Sequence, residues 1–447
     1  MGGTSKSARV LHQMKDVLAV IGGGASGTLA ALHLVRPPHG FPVILLDRAA
    51  AFGRGVAYGT EEPAHLLNVP AAKMSAFPDA ERHFLEWLVA REPQSTGESF
   101  ARRSLYGDYL AGLLHPSGTV RREGEVRALE PQGRGVRLIL AEGAPVEARG
   151  AVLALGNLAP ELPAGWARLP ERLAWRSPWI SAPSWPAPQS EVLLVGAGLT
   201  AVDVVLSLAA RGHRGRIHVL SRRGLLPWTH SSTALPPVAV GELPRRLRPL
   251  LAHFRRLAAR DDPRAVMEAL RTVTVALWGG FSDAERASFL RHLRPWFEAL
   301  RHRLAPEVGA QVAELKARGQ LTAHAGRVME MAATGEGLRV RFRPRGSRVL
   351  ETLTVGLAVP CMGPAQHLGR TSDPLLRSLL ERQQARPGPQ GLGLATAPDG
   401  SVLGPLADRL WTLAGLRRGD LWETTAIPEI RVQAKELAGT VAARLGQ

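Results

Sequence analysis

Two stretches of this chain repeat one local design, and that design limits the possible folds more than any other feature. "VLAVIGGGASGTLAALHLV" (17–35) and "EVLLVGAGLTAVDVVLSLAARG" (191–212) each run an apolar strand into a glycine-rich turn and then a helix. A second apolar strand follows each, "FPVILLDR" (41–48) and "RIHVLSRRG" (216–224), completing a βαβ unit. Gly22, Gly24 and Gly27 stand in GxGxxG spacing; Gly196, Gly198 and Ala201 hold the same places in the second copy. In this pattern the first position permits a tight turn, the second lets backbone approach a pyrophosphate, and the third lets helix and strand pack closely. The free N–H groups opening the helix favour an anion. Ala25 and Ser26 in the first copy, and Leu199 and Thr200 in the second, are the expected flanking contacts.

The two copies differ where the second strand ends. Asp47 stands twenty residues after Gly27, followed by Arg48, placed to accept hydrogen bonds from ribose hydroxyls. The same count from Ala201 reaches Ser221, followed by Arg222 and Arg223. A carboxylate there would repel a 2′-phosphate, whereas guanidinium groups pair with it. The expectation is FAD in the first site and NADPH in the second, on an α/β fold with two Rossmann-like dinucleotide-binding domains.

Composition excludes several other classes. The formal net charge is +17, but 51 of the 56 basic residues are Arg and they are spread along the chain. No aromatic interleaving accompanies them, so the charge points to anionic cofactors and substrates rather than nucleic acid. The single cysteine, Cys361, forbids an internal disulfide or a CxxC redox pair and fits a cytoplasmic setting. No run of 18 apolar residues marks a membrane span, and the first 16 residues lack a signal-peptide pattern.

The order of segments suggests one domain inserted in another. After a tail (1–16), a first FAD-domain part covers 17–165, and the Pro- and Trp-rich stretch 163–190 crosses between domains. The NADPH domain is expected over 190–345, with a helical segment at 243–318 kinked by Pro295. The FAD domain resumes over 350–447. "AVLALGN" and "LAVPCMGP" are apolar strands ending near Gly156 and Gly363, suited to passing a cofactor. Arg291, Arg294, Arg301, His302 and Arg303 stand close in sequence, either a carboxylate-binding cluster or a solvated helix face. Ile427, Ile430, Leu437, Val441 and Leu445 form one helical face, expected to pack on a sheet.

Four longer stretches carry a resemblance: "GRGVAYGTEEPAHLLNVPAAKMSAFPD" (53–79), "LSRRGLLP", "FLRHLRPWFEALRHRLAP" and "WETTAIPEIRVQA". Together they resemble the bacterial FAD/NAD(P)-binding proteins that include FAD-dependent urate hydroxylase and the nitrosuccinate-forming L-aspartate N-monooxygenase. The resemblance implies an NADPH domain within a discontinuous FAD domain. It implies that His65–Met74 lies along the flavin, with Asn68 and Met74 as contacts. It also implies that Glu125-Val126 offers backbone to adenine, and that Thr425, Ala426 and Ile427 open a helix aimed at the flavin. In related flavoproteins a Gly-Asp pair holds the ribityl chain; here "TLAG" (412–415) continues with Leu416 and Gly419-Asp420 comes only later, so the resemblance does not carry that contact over.

Three functions follow from these readings. The first is an NADPH-dependent flavin monooxygenase hydroxylating a small polar or anionic substrate with O2, through a flavin C4a-hydroperoxide. The second is a flavin reductase passing electrons to a quinone or protein acceptor. The third, a non-catalytic nucleotide sensor, sits poorly with two intact fingerprints. Neither the substrate nor the oligomeric state is specified by the sequence.

Overall fold

Short strands buried on both faces organise each of two units in this computed structural model, which describes residues 17–179, 185–365 and 367–446. The tail 1–16 lies outside the described residues. One unit comprises residues up to 61, 70–159 and 365 onward; the other comprises 62–69 and 160–364.

In chain order, the first unit contributes β1 (Leu18–Ile21), α1 (Ala25–Val35), β2 (Val43–Asp47) and β3 (Val120–Glu123). It continues through β4 (Val126–Gln132), β5 (Gly135–Leu140), β6 (Val146–Ala148) and β7 (Gly150–Leu153). The second unit holds β8 (Val192–Val195), α2 (Leu199–Ala210), β9 (Ile217–Ser221) and a helical insertion that includes α3 (Arg294–Arg301). Then follow β10 (Leu321–Thr334), β11 (Gly337–Pro344), β12 (Glu351–Val355) and β13 (Leu357–Pro360). The chain returns to the first unit with β14 (Leu410–Thr412) and α4 (Ile427–Leu445).

The first unit is built on a five-stranded parallel sheet, β14-β7-β1-β2-β3, beside an antiparallel sheet β4-β5-β6. Every residue of β1 is buried, as a parallel strand covered on both faces requires. Its core joins Ile21, Leu46 and Leu153 of the parallel sheet to Leu129 and Leu138 of the antiparallel one. Ile427, Ile430, Leu437 and Val441 of α4 are buried, and the helix packs along α1 rather than directly on the sheet.

The second unit has a six-stranded sheet, β12-β11-β10-β9-β8-β13, in which β13-β8-β9-β10 are parallel and β10-β11-β12 antiparallel. The 163–190 stretch, expected to be a crossing segment, belongs to this unit from residue 160 onward. Trp166 is fully buried in its core, and the indole N–H donates to the Trp175 carbonyl at 2.8 Å. Residues 180–184 of that stretch lie outside the described residues. The expected bend at Pro295 is a break: a single π-helical turn at Phe289–Leu293 separates Asp283–Ser288 from α3. Pro295 sits in the first turn of α3, where its missing N–H costs no helical bond.

Candidate functional site

Strands β1, β7 and β14 end in register, Ile21 beside Leu153 beside Thr412. Their C-terminal edge is where an open parallel sheet binds ligands. Gly22 leaves β1 with φ of 110°, and a methyl group built there would overlap the Ala154 carbonyl oxygen. One built on Gly27 would overlap the Gly22 carbonyl. These two glycines therefore serve packing. At Gly24 the nearest atom to that position is Gly55 Cα, 3.5 Å away, and at Gly156 nothing lies within 4 Å. Gly24 opens α1 with no side-chain cap, and Ala25 and Ser26 at the helix start are half-buried. Such a cradle fits a diphosphate.

Asp47, last in β2, is anchored to this turn. Its Oδ2 accepts from Gly23 N–H at 2.5 Å, and Oδ1 accepts from Ala49 N–H at 2.8 Å. Each carboxylate oxygen retains a further lone pair for a ribose hydroxyl. Arg48 follows at the exposed end of the strand. Glu125-Val126 lies close by, since Asp47 pairs with Glu123 and Gly124 N–H donates to the Asp47 carbonyl at 2.7 Å. The Glu125 carbonyl accepts from Ala141, and Val126 pairs with Leu140.

The end of β14 holds a feature that sequence reading missed. Ala414 adopts a left-handed φ of 58°, unusual for a residue with a side chain. Gln433, in the second turn of α4, fixes it: Oε1 accepts from Ala414 N–H at 3.1 Å. Gln433 Nε2 donates to Thr424 Oγ1 at 2.7 Å, and that hydroxyl donates to the Ala414 carbonyl at 3.1 Å. The network ties the start of α4, with Thr425, Ala426 and Ile427, to the strand end; no side chain caps Ala426. Asp420 does other work, its Oδ2 accepting from the Thr396 backbone N–H and hydroxyl at 3.0 and 2.7 Å. Met74 is buried within the same unit.

Asn68 does not share a unit with Met74. Residues 62–69 belong to the second unit, where His65 Nε2 lies 2.9 Å from the Asp203 carbonyl and 3.0 Å from Ser207 Oγ, both in α2. His230 Nε2 donates to the Asn68 carbonyl at 3.1 Å. The expected continuous His65–Met74 strip is thus split between the units.

In the second unit Gly196 repeats the geometry of Gly22. Its φ is 119°, and a methyl group there would overlap the Cys361 carbonyl oxygen. Gly198, which opens α2 without a side-chain cap, has nothing within 4 Å of that position, and the same is true of Gly363. Leu199 and Thr200 start α2, and Ala201 is fully buried at the close-packing place. Cys361 is buried, and burial pushes its thiol pKa up.

Arg222 and Arg223 follow β9 and turn back at Gly224, whose N–H donates to Ser221 Oγ at 3.0 Å. Arg222 is exposed but held below the ordinary Arg pKa, first by desolvation, then by Arg294 and Arg327, with Arg223 adding to them and Glu298 opposing. The Arg-rich helical stretch is not one cluster. Arg294 Nε donates to Glu298 at 2.9 Å, whereas Arg303 is buried and donates to the Leu300 carbonyl and to Glu268. Arg291 is exposed, and His302 caps α3. Among the described residues no group of three or more His, Cys, Asp or Glu could hold a metal, and no helix is long and apolar enough to cross a membrane.

Residues 19–158 match the model of a family described as FAD-NAD(P)-binding. No curated protein matches the chain. Among solved structures the fold is similar to ornithine N-hydroxylase from Kutzneria sp. 744 (17% identity, 96% of this chain and 99% of that one, TM-score 0.70). It is also similar to L-lysine 6-monooxygenase from Pseudomonas syringae (18%, 97% and 100%, 0.69). Bacillithiol disulfide reductase from Staphylococcus aureus is a further match (14%, 97% and 100%, 0.61). At these identities the likeness is one of fold.

Proposed function

We propose that the protein is an FAD-containing, NADPH-dependent monooxygenase acting with O2 on a small polar or anionic substrate. The observation that carries this reading is a pair of helix starts without side-chain caps, at Gly24 and Gly198, with opposite charge beside them. Asp47 stands by the first and Arg222 with Arg223 by the second, which suits FAD at one and a 2′-phosphorylated nucleotide at the other. Bound FAD would supply the redox chemistry, taking electrons from NADPH and passing them to oxygen.

This chain's own residues bind and orient. Gly24 and Gly198 leave room for diphosphates, and the N–H groups of α1 and α2 face them. Asp47 would hold a ribose; Val126, Gly156, Met74 and the Thr425–Ile427 helix start would line the FAD site. Gly363 and the Asn68 segment would belong to the nucleotide side. The proposed domain plan follows, with 17–165 and 350–447 forming the FAD domain around the NADPH domain at 190–345.

The solved structures of similar fold include enzymes named as an ornithine N-hydroxylase and an L-lysine 6-monooxygenase, which favours oxygen transfer over simple electron transfer. The finer resemblance, to the group containing urate hydroxylase and aspartate N-monooxygenase, points to a substrate bearing negative charge. A reductase is the second reading, favoured by the bacillithiol disulfide reductase match. Its dithiol form has no support here, because the one cysteine is buried.

Rapid-scan absorbance after mixing anaerobically NADPH-reduced protein with oxygenated buffer tests the choice. A transient spectrum that is neither oxidised nor reduced flavin, outliving reduction, supports the monooxygenase. Smooth return to oxidised flavin with stoichiometric peroxide favours the reductase. No bleaching of the flavin by NADPH would remove both.

A further inference from the structure

The tip of β9 gathers more positive charge than its own two arginines supply. β10 runs parallel to β9 with Ser221 beside Ala325, then continues past the end of β9, so Arg327 emerges just beyond the tip. The turn at Gly224, with φ of 65°, brings the chain back onto β10: a methyl group there would lie 3.1 Å from Ala325 N. The chain leaving that turn is bonded to α3, Trp228 N–H donating to the Ala299 carbonyl at 2.9 Å, and Arg294, at the start of α3, acts with Arg327 as the strongest cationic influence on Arg222. Across the hairpin, Arg327 stands directly opposite Arg343, a like-charge pair that costs stability unless something negative lies nearby.

On the same hairpin Arg341 is matched, donating to Glu330 at 3.0 Å. Among the described residues Arg222, Arg223, Arg327 and Arg343 have no carboxylate within ion-pair distance. Glu298 is an acidic group that bears on Arg222, and it also holds Arg294 by an i,i+4 pair at 2.9 Å. That pair fixes the Arg294 guanidinium while leaving N–H donors unused.

We propose that Arg294 and Arg327 complete, with Arg222 and Arg223, a single anion site that binds the 2′-phosphate of NADPH. The inference rests on the NADPH reading and extends it: the helical insertion and the β10 extension, not the βαβ unit alone, choose the nucleotide. A phosphate monoester carrying about two negative charges suits several convergent guanidiniums, each able to bind it bidentately. The same arrangement separates Arg294 from Arg303, whose bonds to Leu300 and Glu268 turn it inward. A carboxylate site made by the whole arginine stretch therefore loses its geometry.

Calorimetric titration of the full-length protein with 2′,5′-ADP and with ADP tests this without turnover. Wild type is expected to bind 2′,5′-ADP at least about tenfold tighter. Arg294→Ala and Arg327→Ala should each remove most of that advantage and leave ADP affinity unchanged. Arg341→Ala, which deletes an equal charge from the same hairpin, should change nothing. Thermal melts establish folding; should Arg294→Ala fail to fold without its Glu298 partner, exposed Arg327 decides alone. If both variants keep wild-type discrimination while Arg222→Ala loses it, the inference fails and the NADPH reading stands. Equal binding of the two ligands by wild type overturns the NADPH reading itself.

Discussion

The Asp47 carboxylate accepts a hydrogen bond from the Gly23 backbone N–H, so one side chain shapes the glycine-rich turn and flanks the place proposed for the ribose. Asp47→Ala should lose both roles. Charge-assisted bonds of this kind contribute about 1.5–3 kcal/mol, so FAD affinity should fall by roughly tenfold to a hundredfold. Fluorescence titration of apoprotein with FAD measures it, and unchanged affinity would remove Asp47 from the site.

Gly196 and Gly198 predict opposite phenotypes two residues apart. Gly196→Ala must place a methyl group into the Cys361 carbonyl at a φ of 119°, and should cost about 3 kcal/mol or more of stability. Gly198→Ala meets no protein atom within 4 Å and should melt like wild type. It should instead weaken NADPH binding, because its methyl group occupies the space left for the diphosphate. Melting temperature and NADPH affinity measured on both variants check the contrast; a Gly198→Ala protein that binds normally would leave that opening without a ligand.

His33 is buried beside Phe77, its Nε2 donating to the Ala76 carbonyl at 3.3 Å, and desolvation lowers its pKa from 6.5 to about 4. Between those values the unfolded chain binds a proton that the native protein refuses. Stability should therefore fall as pH drops from 6.5 towards 4, by up to about 3 kcal/mol, and be insensitive to this group above 6.5. His83 and His324, also lowered by burial, act in the same direction. His33→Gln, which retains a donor for Ala76, should flatten the slope in urea unfolding measured at pH 7 and pH 5. An unaltered slope would assign the acid sensitivity to other groups.

Cys361 is 2% exposed, and burial raises its pKa, so the native thiol should be unreactive. A maleimide should label none of it in buffer and one equivalent in denaturant. Cys361→Ala should retain NADPH-driven flavin bleaching; loss of bleaching in a folded variant would bring thiol chemistry back into consideration.

Two glycine-rich strand–turn–helix units, their order and the charge beside each could be read from the sequence, because each depends on residues adjacent along the chain. Gly22, Gly24 and Gly27 lie within six residues, and a strand burial pattern or a missing Cβ is a local property. Tertiary structure decided what depends on register and on contacts between distant segments. The left-handed turn at Ala414 is held by Gln433, nineteen residues on, and nothing about "TLAG" alone requires it. Residues 62–69 join the second unit because His65 finds Ser207 far along the chain. Arg327 reaches the tip of β9 only because β10 outruns its partner strand, and Arg294 parts from Arg303 because one opens α3 while the other lies past its end among different neighbours. Spacing along a chain fixes local conformation, but the convergence of charges from three elements is set by how those elements pack.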